Sequence, residues 1–203
     1  GNALRRILLS SMPGAAVTDV SIDGISHEYS TIEGIREDVI NMLLNIKDMP
    51  INLIEGDSAE VSLDITGPCD VLASSFEAPG NVELVNPDFY IATIVDKVNL
   101  KMTLTVKNGR GYEPADLRED EDRVVGALKV DASYSPVRRV SYNVDNARSG
   151  KRTDLDKLVI ELETDGTLDP KMAIEHCATI LQQQLGAFVD LDAIAEQEAK
   201  KDQ

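Results

Sequence analysis

Tryptophan is absent from this chain of 203 residues, and aromatic side chains as a class make up only 4% of it. Single-stranded nucleic acids bind largely by stacking bases on such rings, so most stacking platforms are excluded. Basic residues are also scarce, with 20 lysines and arginines against 36 aspartates and glutamates and a net charge of −16. Nucleic-acid affinity comes mainly from cations that neutralise phosphates, which makes so acidic a domain a poor candidate for wrapping DNA or RNA on its own. The same acidity keeps a protein soluble and suits partners that present basic surfaces.

Cysteine and histidine are nearly lacking. Cys69 and Cys177 lie far apart with no CxxC spacing, and His27 and His176 complete no zinc pattern, so no metal is expected. Cys177 falls on the apolar stripe of an expected helix, where core packing accounts for it. No signal peptide and no long uncharged apolar run occurs, which gives the expectations of no membrane span and a cytoplasmic location. The chain opens at Gly1 in mid-pattern and is expected to be part of a longer protein.

Hydrophobic residues, at 42%, are plentiful enough to exclude wholesale disorder. At this length folding should bury roughly 70% of the extended-chain surface without help from metals or disulfides.

Periodicity sets the expected elements. Asn2 to Ser11 reads as a helix with Leu4, Ile7, Leu8 and Ser11 on one face, ended by Pro13-Gly14. Val17 to Ile22 alternates, and Asp23-Gly24 is a hairpin turn into Ile25 to Tyr29. Glu33 to Lys47 is a second helix, with Ile35, Val39, Met42, Leu43 and Ile46 on one stripe. Strands are expected at Ile51 to Ile54, Val61 to Ile65 and Leu100 to Lys107, with turns at Asn108-Gly109, Pro79-Gly80 and Asn86-Pro87. Strand-like pattern resumes from Val125 through Val130 and at Val140 to Val144, Arg148 to Asp154 reads as a loop, and Leu155 to Thr164 is a half-buried strand. Asp169-Pro170 opens a third helix with an acidic N-cap and a proline in the first turn. It carries Ile174, Cys177, Ile180, Leu181, Leu185 and Phe188 at helical spacing, and Ala193 to Gln203 should fray. Helices at both ends with strands between imply an α+β protein whose terminal helices lie close together.

The search for an active site finds no catalytic residues and no cofactor site. No phosphate loop, nucleophile elbow or metal-binding helix signature occurs. Gly109-Arg110-Gly111 is too short for a nucleotide fingerprint and reads as a bulged hairpin turn. The run Glu119, Asp120, Glu121 and Asp122 lacks the ligand spacing and glycine of a calcium loop. Four like charges in a row cannot be buried unpaired, which leaves a solvated loop or a docking patch for a basic regulator.

Several blocks carry a family resemblance. Gly1 to Gly14 (GNALRRILLSSMPG) closely resembles the first helix of bacterial RNA polymerase alpha subunits. The likeness continues through His27-Glu28-Tyr29-Ser30-Thr31, Gly109-Arg110-Gly111-Tyr112, Val130-Asp131, Tyr134-Ser135-Pro136-Val137, Tyr142-Asn143-Val144 and Arg152 to Leu158 (RTDLDKL). The blocks arrive in family order across nearly the whole chain, and only 67–96 matches loosely.

The resemblance implies a dimerisation subdomain of terminal helices on an antiparallel sheet, spanning 1–16 plus 137–195. It also implies an inserted mostly-β subdomain at 17–136 and the start of a linker at 196–203. In such a protein a second alpha subunit, identical or a paralogue, completes a dimer that recruits the beta and beta-prime subunits. DNA would be met only through the complex and a further C-terminal domain. The stripes Leu4, Ile7 and Leu8 and Ile180, Leu181, Leu185 and Phe188 are more apolar than a thin sheet can cover, so part of them is expected at the dimer interface. Leu9 falls nearly opposite the first stripe, flanked by Arg5 and Arg6. The resemblance assigns Arg5, Arg6 and Leu9 to the beta contact, and Lys47, Val130 and Asp131 to the beta-prime contact. The competing readings are a stand-alone adaptor with an alpha-like fold and an enzyme with an unfamiliar site.

Overall fold

A computed structural model describes residues 1–118, 125–149 and 152–188. The first helix forms as its stripe dictates: α1 (Asn2–Ser10) buries Ile7 and Leu8, and the Ser11 amide closes it on the Ile7 carbonyl. The chain passes at once into β1 (Pro13–Ile22), where Pro13 is tolerated because the first residue of a strand can do without an amide hydrogen. Then come α2 (Val39–Asp48), β2 (Ile51–Leu53), β3 (Ser58–Thr66), β4 (Cys69–Leu72), β5 (Val82–Leu84), β6 (Tyr90–Ile94) and β7 (Asn99–Arg110). The chain continues through β8 (Tyr112–Glu113), β9 (Leu128–Lys129), β10 (Ala132–Ser133), β11 (Val137–Ser149), β12 (Arg152–Thr164) and α3 (Pro170–Gly186). Every strand pair is antiparallel, and the architecture is α+β.

Two main cores divide the apolar residues. The first lies beneath the four-stranded sheet β3-β7-β1-β9 and against the inner face of α2, with Val20, Val61, Leu104, Val106, Met42 and Ile46 wholly buried. The second joins the two ends of the chain: Ile7, Leu8 and Met12 meet Val137 and Val140 of β11 and Ala173 and Cys177 of α3. The terminal helices do lie together, and the Cys177 thiol donates to the Leu4 carbonyl at 3.4 Å, with burial pushing its pKa up. Asp169 caps α3 as expected, accepting from the Lys171 and Met172 amides.

Several expected elements come out differently, each because tertiary hydrogen bonds outbid a local pattern. Ile25 to Tyr29 forms no strand, because both edges of β1 are already taken by β7 and β9. The second helix starts at Val39 rather than Glu33. Gly34 has φ +83°, Ile35 bridges to Ile94, and the Arg36 amide donates to Thr93, so this segment serves as an extension of β6. The Glu37 carboxylate holds it there, accepting from the Thr93 amide at 2.8 Å and from the Tyr90 hydroxyl. Val125 is 97% exposed in a turn at Gly126, so strand pairing is delayed to Leu128. Arg148 to Asp154 belongs largely to strands, since β11 and β12 pair out to Ser149 and Arg152.

Asn108-Gly109 is not a turn. Gly109 sits within β7 opposite Gly14 of β1, and the turn falls at Gly111 with φ +68°. Both paired glycines make room for Tyr134. A Cβ at 109 would lie 2.6 Å from its ring, and a Cβ at 14 only 1.8 Å from its carbonyl oxygen. Tyr134 is 5% exposed, and its hydroxyl donates to Glu113 at 2.9 Å. Burial, reinforced by the Glu113 carboxylate, raises its pKa to about 12.

A raised phenol pKa means that the folded state holds the proton more tightly than the unfolded chain does. Stability from Tyr134 is therefore fully present below pH 10, the ordinary tyrosine value, and is lost between 10 and about 12. Ultraviolet titration of the native protein should show one tyrosine ionising near the top of that window, and Tyr134→Phe should remove that step. If the variant kept it, the assignment would be wrong.

Candidate functional site

Two surfaces gather the residues expected to touch partners. On α1, the Arg5 side chain is exposed, yet its Nε donates to the Val140 carbonyl at 3.2 Å, so it ties the helix to β11. Arg6 is exposed, and its guanidinium makes no hydrogen bond or ion pair with the described residues. Leu9 departs from expectation. It is half-buried against the second core, because α1 is gripped by β11 as well as α3 and so hides a wider arc than its stripe suggested.

The expected dimer stripes divide similarly. Ile7 and Leu8, at 8% and 1% exposure, are consumed within their own chain, while Leu4, Ile180 and Leu181 are half-buried. Leu185 and Phe188 stay exposed, at 51% and 86%, as do Met172 and Ile174. The sequence reading has both strands of the β11–β12 hairpin but overlooks the apolar face that they present together. Val140, Tyr142 and Val144 share one face, opposite Leu162, Ile160 and Leu158, and Val140 is buried while Tyr142, Val144 and Leu158 are bare. Period-two alternation at 140–144 and 158–162 was the available signal.

The second surface is a cleft of about 580 Å³ between α2, Ser26 and Glu28 on one side and the segments 115–116 and 127–131 on the other. The Lys47 ammonium at the end of α2 lies 3.6 Å from Asp131 and 5.2 Å from the centre of the Tyr112 ring. Asp131 also accepts from the Ala115 amide at 2.9 Å and from the Tyr112 hydroxyl at 2.7 Å. These donors hold its carboxyl below the usual range, the Ala115 amide most and the Tyr112 hydroxyl next, while the bond to Asp131 raises the Tyr112 phenol. The charge, ring and hydroxyl thus form one preset wall. Val130 also lines the cleft, but little of it is exposed there. It is only 6% exposed, packed in the first core, with its amide donating to the Thr18 carbonyl.

Glu119, Asp120, Glu121 and Asp122 lie outside the described residues, as do 189–203. Among the described residues, no group of three or more His, Cys, Asp or Glu side chains is placed to hold a metal ion, and no helix is long and apolar enough to cross a membrane. Both surfaces set apolar patches beside charged groups whose positions are fixed by the fold.

The model of the RNA polymerase Rpb3/RpoA insert domain matches residues 20–135. Fold and match together define the class, a polymerase subunit of the alpha/Rpb3 type, with partner subunits. The match spans more than half of the chain, and the chain belongs to the RNA polymerase Rpb3/RpoA insert-domain family. It covers β2 to β10, α2 and the Lys47–Asp131 cleft with the last three residues of β1, and it leaves α1, most of β1, the long hairpin and α3 outside.

Proposed function

We propose that this chain is the assembly domain of a bacterial RNA polymerase alpha subunit: it dimerises, then serves as the scaffold on which the beta and beta-prime subunits are gathered into the DNA-transcribing core. The carrying observation is the second core, built from both ends of the chain around the family-matched insert and leaving Leu185 and Phe188 uncovered. On this reading 1–16 and 137–195 make the dimerisation subdomain, 17–136 the insert, and 196–203 begins a linker. The partner is a second alpha chain, identical or a paralogue. The protein works in the cytoplasm, touches DNA through the complex, and carries no active site of its own.

Sedimentation of the full-length chain tests the first step. A dimer at micromolar concentration is expected, and Leu185→Glu with Phe188→Glu should shift it toward monomer. A wild-type monomer would overturn the proposal. Co-purification with beta and beta-prime separates this reading from that of an independent adaptor.

The cleft is assigned to beta-prime. Lys47→Glu would set a carboxylate beside Asp131, and their repulsion would break up the wall that Lys47, Asp131 and Tyr112 preset, which should weaken beta-prime recruitment about tenfold, or ~1.4 kcal/mol, despite the added negative charge. The alpha–beta complex should form normally. Equal loss of both steps, measured by titrating each subunit in turn, would mean that the fold and not the contact had been damaged.

A further inference from the structure

The inner face of α2 is fully committed, with Val39, Met42, Leu43 and Ile46 buried. Its outer face should then be polar. Instead Ile40 and Leu44, one turn apart, are 40% and 53% exposed, and both line the cleft beside Lys47. Apolar side chains one turn apart in a concave wall make a seat, and a volume of about 580 Å³ accommodates a large side chain with its neighbours.

The charges at the rim are unequal. The Lys47 cation is spent on Asp131 and the Tyr112 ring, and the Lys129 ammonium donates to the Arg118 carbonyl at 3.0 Å. The carboxylates of Glu28 and Asp116, which also line the cleft, make no hydrogen bond or ion pair with the described residues. The C-terminal end of α2 adds the negative pole of the helix dipole on the same side. An anionic group entering here would be repelled, and a cationic one would find two uncompensated carboxylates.

We infer that the cleft receives a segment of a partner subunit that presents a large apolar side chain to Ile40 and Leu44 and an adjacent lysine or arginine to Glu28 and Asp116. A protein occupant fits both the family's multisubunit setting and the chain's net charge of −16. Only the identity of the partner, beta-prime, rests on the proposed function; the chemistry of the segment follows from the cleft.

The test uses the full-length chain assembled into polymerase, with a photoreactive benzophenone amino acid in place of Leu44. Irradiation and peptide mapping should place the cross-link on a partner segment that has a large apolar residue next to Lys or Arg. Such a segment in beta-prime supports both readings. The same chemistry in another subunit sustains this inference and overturns the beta-prime assignment. A cross-link to an acidic or wholly polar segment, or none in the assembled enzyme, overturns the inference. A second measurement covers charge: Glu28→Lys with Asp116→Lys should slow partner association roughly tenfold at low salt and flatten its salt dependence. An unchanged rate with unchanged salt dependence would equally overturn it.

Discussion

Shortening Leu8 to alanine should lower the unfolding free energy by about 2–5 kcal/mol, the largest effect expected of any single truncation in α1. Leu8 is 1% exposed at the point where α1, β11 and α3 meet. The cavity would be walled by side chains from three separate elements, none of which can move inward without leaving another contact. Close-packed interiors collapse only in part around such a loss, so both the transfer and the cavity terms are paid. Urea denaturation at fixed protomer concentration measures it, since a dimer's apparent stability depends on concentration. The first core shares none of these residues, so its own unfolding should be little changed. A loss below about 1 kcal/mol would show that α1 is not anchored as described.

Replacing Arg6 by alanine should leave folding and dimerisation intact and weaken binding of the alpha dimer to beta by roughly 2 kcal/mol, about thirtyfold. The side chain is exposed and makes no hydrogen bond or ion pair with the described residues, so little of the fold's stability should depend on it. Its planar donor fork can grip a carboxylate or backbone carbonyls, and Arg6→Lys should rescue only part of the loss because an ammonium cannot reproduce that fork. Leu9→Ala should weaken beta binding too, but its half-buried position means that it also costs stability, so its melting curve must be read beside its affinity. Unaltered affinity of the Arg6→Ala dimer, measured against purified beta, would remove α1 from the proposed contact.

Where a residue's role is set by its near neighbours in sequence, the reading from sequence and the fold agree. The stripe Val39, Met42, Leu43 and Ile46 faces the core, and Asp169 caps α3. Gly109 shows the other case. The dipeptide Asn108-Gly109 carries local turn chemistry, but the glycine is needed because Tyr134, 25 positions later, occupies the space of its Cβ. Likewise Val130 and Asp131, adjacent in sequence, part company: one is buried in the core while the other forms the wall of the cleft.

By itself, the sequence determined the class of fold, the two helical ends, the acidity that disfavours direct nucleic-acid binding, and the ordered blocks that resemble a polymerase subunit. Each follows from periodicity, composition or local pattern, which are properties of short windows. Only the tertiary structure decided which apolar residues remain for partners: Ile7, Leu8 and most of Leu9 are withdrawn, while Leu185, Phe188, Ile40, Leu44 and the hairpin's Tyr142 and Val144 are left bare. It also decided that Tyr112 stands with Lys47 and Asp131. Burial is a sum over contacts from distant parts of the chain, so a stripe states that a face is apolar without stating what covers it.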